Sequence, residues 1–144
     1  MKKNGRAGIQ APAKKIYCPN FIDAVNAVKN NSLTGSVFND FINPWFFRDT
    51  AQEYSEHFTR QGFTVPFSEI VTIESFHSPD DAYKIFASGA IAGYLNQSCY
   101  KNGFDEKYSE NFQRIVREEF ISQAQSDGRV RLAFNRIFLI ALRN

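Results

Sequence analysis

The last stretch of the chain, Arg129-Val130-Arg131-Leu132-Ala133-Phe134-Asn135-Arg136-Ile137-Phe138-Leu139-Ile140-Ala141-Leu142, constrains the fold more than any other. It opens as a polar/apolar alternation and becomes an unbroken apolar run. Alternation marks a strand with one wet face, and a continuous run marks backbone buried on both faces. Such a closing strand is threaded into the middle of a sheet and needs other strands to receive it. Only two good candidates lie upstream, so the sheet is too small for its own closing strand. That mismatch points to part of a larger α/β enzyme.

A chain of 144 residues, 43% of them hydrophobic, can bury about 68–70% of its unfolded surface, which is enough for a real core. The formal net charge of +2 gives no argument for nucleic acid. Lys and Arg are spread along the sequence, and the one local excess, Lys2, Lys3, Arg6, Lys14 and Lys15, reads as a solvated terminus. Cys18 and Cys99 lack metal-ligand spacing, and no apolar segment follows the N-terminal lysines. The expectation is a cytoplasmic, reduced protein with no membrane segment.

Read in order, Asn4-Gly5 is a turn and Ala7 to Ala11 a very short strand stopped by Pro12. Phe21, Ile22, Val25 and Val28 recur at helical spacing, with Asn20 as the expected N-cap. Asn30 to Gly35 is a loop. Phe38, Phe41, Ile42, Trp45, Phe46 and Phe47 then crowd around Pro44, too apolar to be left in water and in need of a partner surface or a ligand. Asp49 or Thr50 caps a helix carrying Ala51, Tyr54 and Phe58, and Gly62 sits where a left-handed C-terminal cap is wanted. Thr64 to Phe76 reads as a strand. Ser78-Pro79-Asp80-Asp81 is a strong helix start, in which the serine caps, the proline suits the first turn and the carboxylates meet the positive end of the dipole. That helix carries Ala82, Ile85 and Phe86 inward. A longer helix from about Asp105 to Gln125 buries Tyr108, Phe112, Ile115, Val116, Phe120 and Ile121, and Asp127-Gly128 turns the chain into the closing strand.

This order resembles the C-terminal part of a class I S-adenosylmethionine-dependent methyltransferase, of the small-molecule branch that includes the trans-aconitate and malonyl-carrier-protein enzymes. Lys2-Lys3-Asn4-Gly5-Arg6-Ala7-Gly8-Ile9 resembles the loop and fifth strand of that fold. Tyr54 through Gly62-Phe63 resembles the helix ending before its sixth strand. Phe76-His77-Ser78-Pro79-Asp80-Asp81 resembles the start of its variable helical insert, and Arg129 to Arg143 its closing seventh strand. The resemblance covers nearly the whole chain. It implies a Rossmann-like α/β fold represented by strands equivalent to 5, 6 and 7 with helical inserts, so that residues 1–144 form a single partial domain.

The family binds its cofactor with a glycine-rich turn after the first strand, where only glycine lets the backbone approach the ligand, and with an acidic residue after the second. Neither strand is present. Gly5-Arg6-Ala7-Gly8 follows no strand, and Gly89-Ala90-Ile91-Ala92-Gly93 sits in a helical region, as close packing or a loop would explain. Met1 falls where a loop residue of a complete enzyme would lie. The resemblance therefore implies a truncated or split methyltransferase that uses S-adenosylmethionine when complete. No cofactor is expected for this chain alone, which would be inactive without the other half.

In the family, the inserts after the fifth strand and between the sixth and seventh cover the site, and methyl transfer often needs little beyond alignment and exclusion of water. The resemblance makes Tyr17, Asn20, Phe21, Trp45, Phe46 and Phe47 the substrate-binding candidates. The aromatics would form an apolar wall, while Asn20, Gln10 and Arg48 orient a polar head group. The same aromatics would also serve as ordinary core. His57, among Glu53, Glu56 and Arg60, reads as solvated. His77, between a strand and a capped helix, reads as a local hydrogen-bond partner. Asp80 and Asp81 are explained by the helix start rather than by a metal, and no catalytic residue is assigned. The expected partners are a small-molecule methyl acceptor and either a complementary N-terminal half or a second copy at an exposed sheet edge. The alternative is a non-catalytic α+β module that binds an apolar ligand or protein through its aromatic cluster.

Overall fold

The computed structural model describes residues 4–143. Lys2 and Lys3 of the basic run, with Met1, lie outside the described residues. The chain is α/β, with one three-stranded antiparallel sheet and five helices among the described residues. Strand β1 spans Arg6–Pro12, and helix α1 spans Pro19–Asn30. Proline takes the first helical position, where its missing N–H is no loss. Asn20 therefore lies inside the first turn of α1 rather than capping it. A short helix α2, Gly35–Phe38, follows where sequence alone suggested only a loop running into the aromatic cluster. Between α1 and α2, the buried Thr34 hydroxyl donates to the Val28 carbonyl at 2.6 Å. That bond shares the Val28 carbonyl with the Asn31 N–H, which reaches it at 3.3 Å near the end of α1.

Helix α3, Ala51–Arg60, opens on a full capping box. Thr50 Oγ1 accepts from the Glu53 N–H, and the Glu53 carboxylate accepts from the Thr50 N–H. The Thr50 N–H, then the Thr50 hydroxyl and the Asp49 N–H, all donating to that carboxylate, hold it below its usual range. The chain leaves α3 through Gly62 at φ 81°, a left-handed conformation that favours glycine. Strand β2 spans Phe63–His77 and helix α4 spans Pro79–Tyr94, with Ser78 as N-cap accepting from the Asp81 N–H. Helix α5, Glu106–Ser122, is capped by Asp105. Gly128 at φ 76° turns the chain into β3, Val130–Arg143.

These elements divide into two compact units. The helical unit comprises Pro19–Trp45 and Ser75–Leu132. In it α5 packs on both α1 and α4. Phe86, Phe112 and Phe120 are fully buried, and Phe21 meets Phe86 and Phe120 edge-on at centroid distances of 5.0 and 5.8 Å. The offset and edge-on geometry is what the ring quadrupoles favour. Ile121, expected on the buried side of α5, is 64% exposed. Phe120 takes the inward position, and the next residue lies about 100° further round the helix. The tyrosines close their own polar account: Tyr100 Oη donates to the Tyr94 carbonyl at 2.6 Å and meets Tyr108 Oη at 2.9 Å. Burial pushes the Tyr100 phenol up to about 12 and also raises that of Tyr108.

The sheet unit takes the residues up to Cys18, Phe46–Glu74 and those from Ala133 on. The strand order is β1-β3-β2, so the closing strand does lie in the middle of the sheet. It runs antiparallel to β1 with Ile9 opposite Leu139 and Ala7 opposite Ala141. Ala13 N–H donates to Asn135 O at 2.9 Å, and Arg143 N–H donates to Gly5 O at 2.9 Å. Odd-numbered residues of β1 therefore direct their backbone groups at β3, and Gly8 and Gln10 direct theirs outward. Pro12 falls in the outward set, where a missing N–H costs the ladder nothing.

Side chains alternate with the same period. Ile137, Leu139 and Ala141 are buried on one face with Ala13, and Ala51, Tyr54 and Phe58 of α3 pack there beside Ile9, Ala11, Val65 and Ile70. The opposite face carries Phe138 and Ile140, which remain half-buried, and Phe67, Val71 and Ile73, which are exposed. The expectation of a closing strand buried on both faces is thus met on one face only. The unbroken apolar run therefore leaves Phe138 and Ile140 of the second face partly open.

Candidate functional site

The substrate-binding candidates fall in different units. Within the helical unit, Phe21 is 3% exposed and belongs to the α1/α4/α5 core. Asn20 Nδ2 donates to Gln123 Oε1 at 3.0 Å, and its carbonyl accepts from Gln123 Nε2 at 3.1 Å, tying the start of α1 to the end of α5. Trp45 lies edge-on to Tyr94 at 4.6 Å and presses on Gly93 of α4. A Cβ at position 93 would collide with the indole. Phe38 and Phe41 stack at 5.4 Å, and Phe41 also meets Tyr94 and Tyr100, both at 5.3 Å. The crowded aromatic segment around Pro44 thus finds part of its partner surface in Tyr94 and Tyr100. Ile42 is left 55% exposed.

Within the sheet unit, Tyr17 is buried and tilted against Phe47 at 5.2 Å. Its carbonyl accepts from the Asn135 N–H at 2.8 Å, while Asn135 Nδ2 donates to Ile16 O and Oδ1 accepts from Thr72 Oγ1. One asparagine therefore fixes the loop after β1 to the sheet. Phe46 is 73% exposed, and its only described ring contact is the Arg48 guanidinium, 4.1 Å from the centroid. Gln10 is exposed on the bare face. The structure thus brings Tyr17 together with Phe47, and Phe46 with Arg48.

The two histidines have separate surroundings. His57 is exposed on α3 and edges Phe58 at 6.0 Å. His77 Nε2 lies 2.8 Å from Ser75 Oγ, a local contact at the end of β2. Asp80 and Asp81 both pair with Lys84, at 2.7 and 3.0 Å, as expected of a solvated helix start. The Lys84 ammonium and the Ser78 hydroxyl hold the Asp81 carboxyl below its usual range. No group of three His, Cys, Asp or Glu side chains able to hold a metal occurs among the described residues. No helix of the described residues is long and apolar enough to cross a membrane.

One recess of the sheet unit lies on the bare face. It is a groove of about 340 Å³ lined by Gly8, Ile9, Gln10, Phe67, Phe138, Leu139 and Ile140. Phe67, 44% exposed, is the residue that sequence reasoning passed over. The signal was available in the alternation Phe67, Val71, Ile73, which places apolar side chains on the same face as Phe138 and Ile140. A groove this apolar can hold a packed element or an apolar ligand, and it offers no general base or nucleophile.

Of the two strand-to-helix connections, 13–18 after β1 and Ser78 after β2, neither contains a glycine. Gly89 and Gly93 lie inside α4, and Gly8 lies within β1. The described residues do not fit the phosphate- or ribose-approaching turn of a nucleotide cofactor, which requires glycine where the chain passes from strand to helix. Neither protein-family models nor the curated proteins give a match to this chain.

Proposed function

We propose that this chain is the C-terminal segment of a S-adenosylmethionine-dependent methyltransferase acting on a small molecule. It would contribute the strands equivalent to 5, 6 and 7 and the inserts that cover the substrate. The observation that carries this reading is the position of β3, which closes the chain yet lies between β1 and β2, antiparallel to β1. In the family the resemblance names, the seventh strand lies against the fifth. The bare apolar face adds support, since a sheet with helices on both faces has lost one layer when half of the fold is absent.

The role of these residues is shape rather than bond chemistry. Phe46 with Arg48, and Phe47 backed by the buried Tyr17, present apolar and cationic surface from the segment that precedes α3. Such surfaces orient a substrate and exclude water, which is the greater part of what methyl transfer asks of a protein. The cofactor site itself is assigned to a complementary half, from another chain or a longer gene product, because no glycine stands at a strand-to-helix turn among the described residues. Calorimetric titration of the chain alone with S-adenosylmethionine is expected to show no binding. Co-expression with a cofactor half is expected to give a soluble complex that binds it. Tight stoichiometric binding by the chain alone would overturn the reading.

The exposure of Phe46 favours a second reading, a non-catalytic module that binds an apolar ligand or partner through its aromatic residues. A co-expressed half that neither associates nor confers cofactor binding, combined with loss of partner binding in Phe46→Ser, would favour it.

A further inference from the structure

The free edge of β1 has a chemical character that its bare face alone does not reveal. Gly8 and Gln10 direct their backbone N–H and C=O groups away from β3, and both residues are exposed. The middle of this edge is neutral, and one of its side chains is a glycine that obstructs nothing. Its ends are basic. Arg6 precedes the open pairs, and Lys14 and Lys15 follow them directly after Pro12 and Ala13. None of the three forms an ion pair among the described residues. The Asp49 carboxylate accepts from the Lys15 backbone N–H at 3.0 Å and forms no ion pair with these side chains. No acidic residue occurs on β1.

We infer that the β1 edge binds a β-strand of a second polypeptide, apolar through its centre with a carboxylate at each end, whose flanking residues cover the groove at Phe67, Phe138 and Ile140. Backbone pairing along Gly8 and Gln10 provides attachment, as in strand addition generally. The basic ends select the partner, because like charges on neighbouring strands repel and opposite ones attract. The same charges disfavour a second copy. In an antiparallel pair of copies centred on Ile9, Arg6 of one lies opposite Pro12 of the other, two residues before its Lys14. Basic ends and a terminal proline are also common protection against unwanted edge pairing.

The inference rests on the reading above for the existence of a complementary half, and it specifies the strand that half presents. Its test involves no methyl transfer, so either can fail while the other stands. The full chain is titrated with two labelled peptides that share an alternating valine/threonine centre, one ended by aspartates and one by lysines, while fluorescence anisotropy is read. The aspartate-ended peptide is expected to bind saturably and about tenfold or more tighter than the other, a difference of about 1.4 kcal/mol, and to weaken as salt is raised. Gln10→Pro removes one outward donor and no bond to β3, and it is expected to abolish binding with the thermal midpoint kept. The double variant Arg6→Glu/Lys14→Glu is expected to reverse the preference, which keeps the test valid if the proline variant folds poorly. Equal affinity for both peptides, or none for the aspartate-ended one, would overturn the inference. So would a stable dimer by light scattering that Gln10→Pro dissociates, since the edge would then belong to a second copy.

Discussion

The helical unit buries Phe86, Phe112 and Phe120 completely, whereas the sheet unit leaves Phe67, Val71 and Ile73 facing solvent. Both are rich in apolar residues, so composition does not separate them. The difference is geometric. A helix has one apolar stripe, and three helices packed together can satisfy one another. A sheet strand has two faces, and α3 covers only one of them. The helical unit thus buries its own aromatic core, while the sheet unit leaves one apolar face open.

The sharpest way to break this comparison is to truncate on each side of it. Phe86→Ala, in the filled helical core, is expected to cost about 3–5 kcal/mol in denaturant melts. In the sheet unit, Leu139→Ala on the helix-covered face is expected to cost about 2–5 kcal/mol. Its neighbour Ile140→Thr, on the bare face, is expected to stay within about 0.5–1 kcal/mol of the parent and to improve solubility. Equal costs at 139 and 140 would mean that the second face is covered in the folded chain, and the contrast between the units would collapse.

A gentler probe asks whether the aromatic segment before residue 46 is fastened like core. Gly93→Ala forces a methyl into the Trp45 ring, with an expected cost of about 1–3 kcal/mol. Trp45 is the only tryptophan, so its emission reports the displacement directly. Unchanged emission and stability would show that the ring moves freely. Thr50→Ala removes half of the capping box on α3 and is expected to cost about 1 kcal/mol, measurable as a lowered thermal midpoint.

The smallest effect is electrostatic. The neutral Tyr100 phenol is favoured in the fold, so its contribution to stability is fully present below the unfolded value near 10 and is lost as pH rises through about 12. Alkaline melts should show stability falling across that window, with a shallower fall in Tyr100→Phe.

Much of this architecture was legible because local chemistry dictates it. The Thr50 and Ser78 caps, the Gly62 and Gly128 turns and the strand through Val71-Thr72-Ile73 follow from residues adjacent in sequence. The misreadings came from choices made by distant partners. Asn20 suits an N-cap on type alone, but Pro19 starts the helix and Gln123, far along the chain, occupies the Asn20 side chain. Ile121 fits the apolar stripe, yet Phe120 fills the inward position and leaves it in water. For the candidate site, sequence picked out the aromatics but not their surroundings. Phe21 is core beside Phe86, Tyr17 is paired with Phe47, and Phe46 stands exposed under Arg48. Nothing in residue type separates those environments. The apolar run at residues 137–142 is the instructive case, since it reported two buried faces where the chain itself covers one.

Amide hydrogen exchange along β1 of the chain alone tests the central claim most directly. An edge that awaits a partner should show alternation, with slow exchange at Ala7, Ile9 and Ala11, whose N–H groups face β3, and fast exchange at Gly8 and Gln10. Protection of Gly8 and Gln10 equal to that of their neighbours, in a protein shown by light scattering to be monomeric, would mean that the sheet is already complete and would contradict the account.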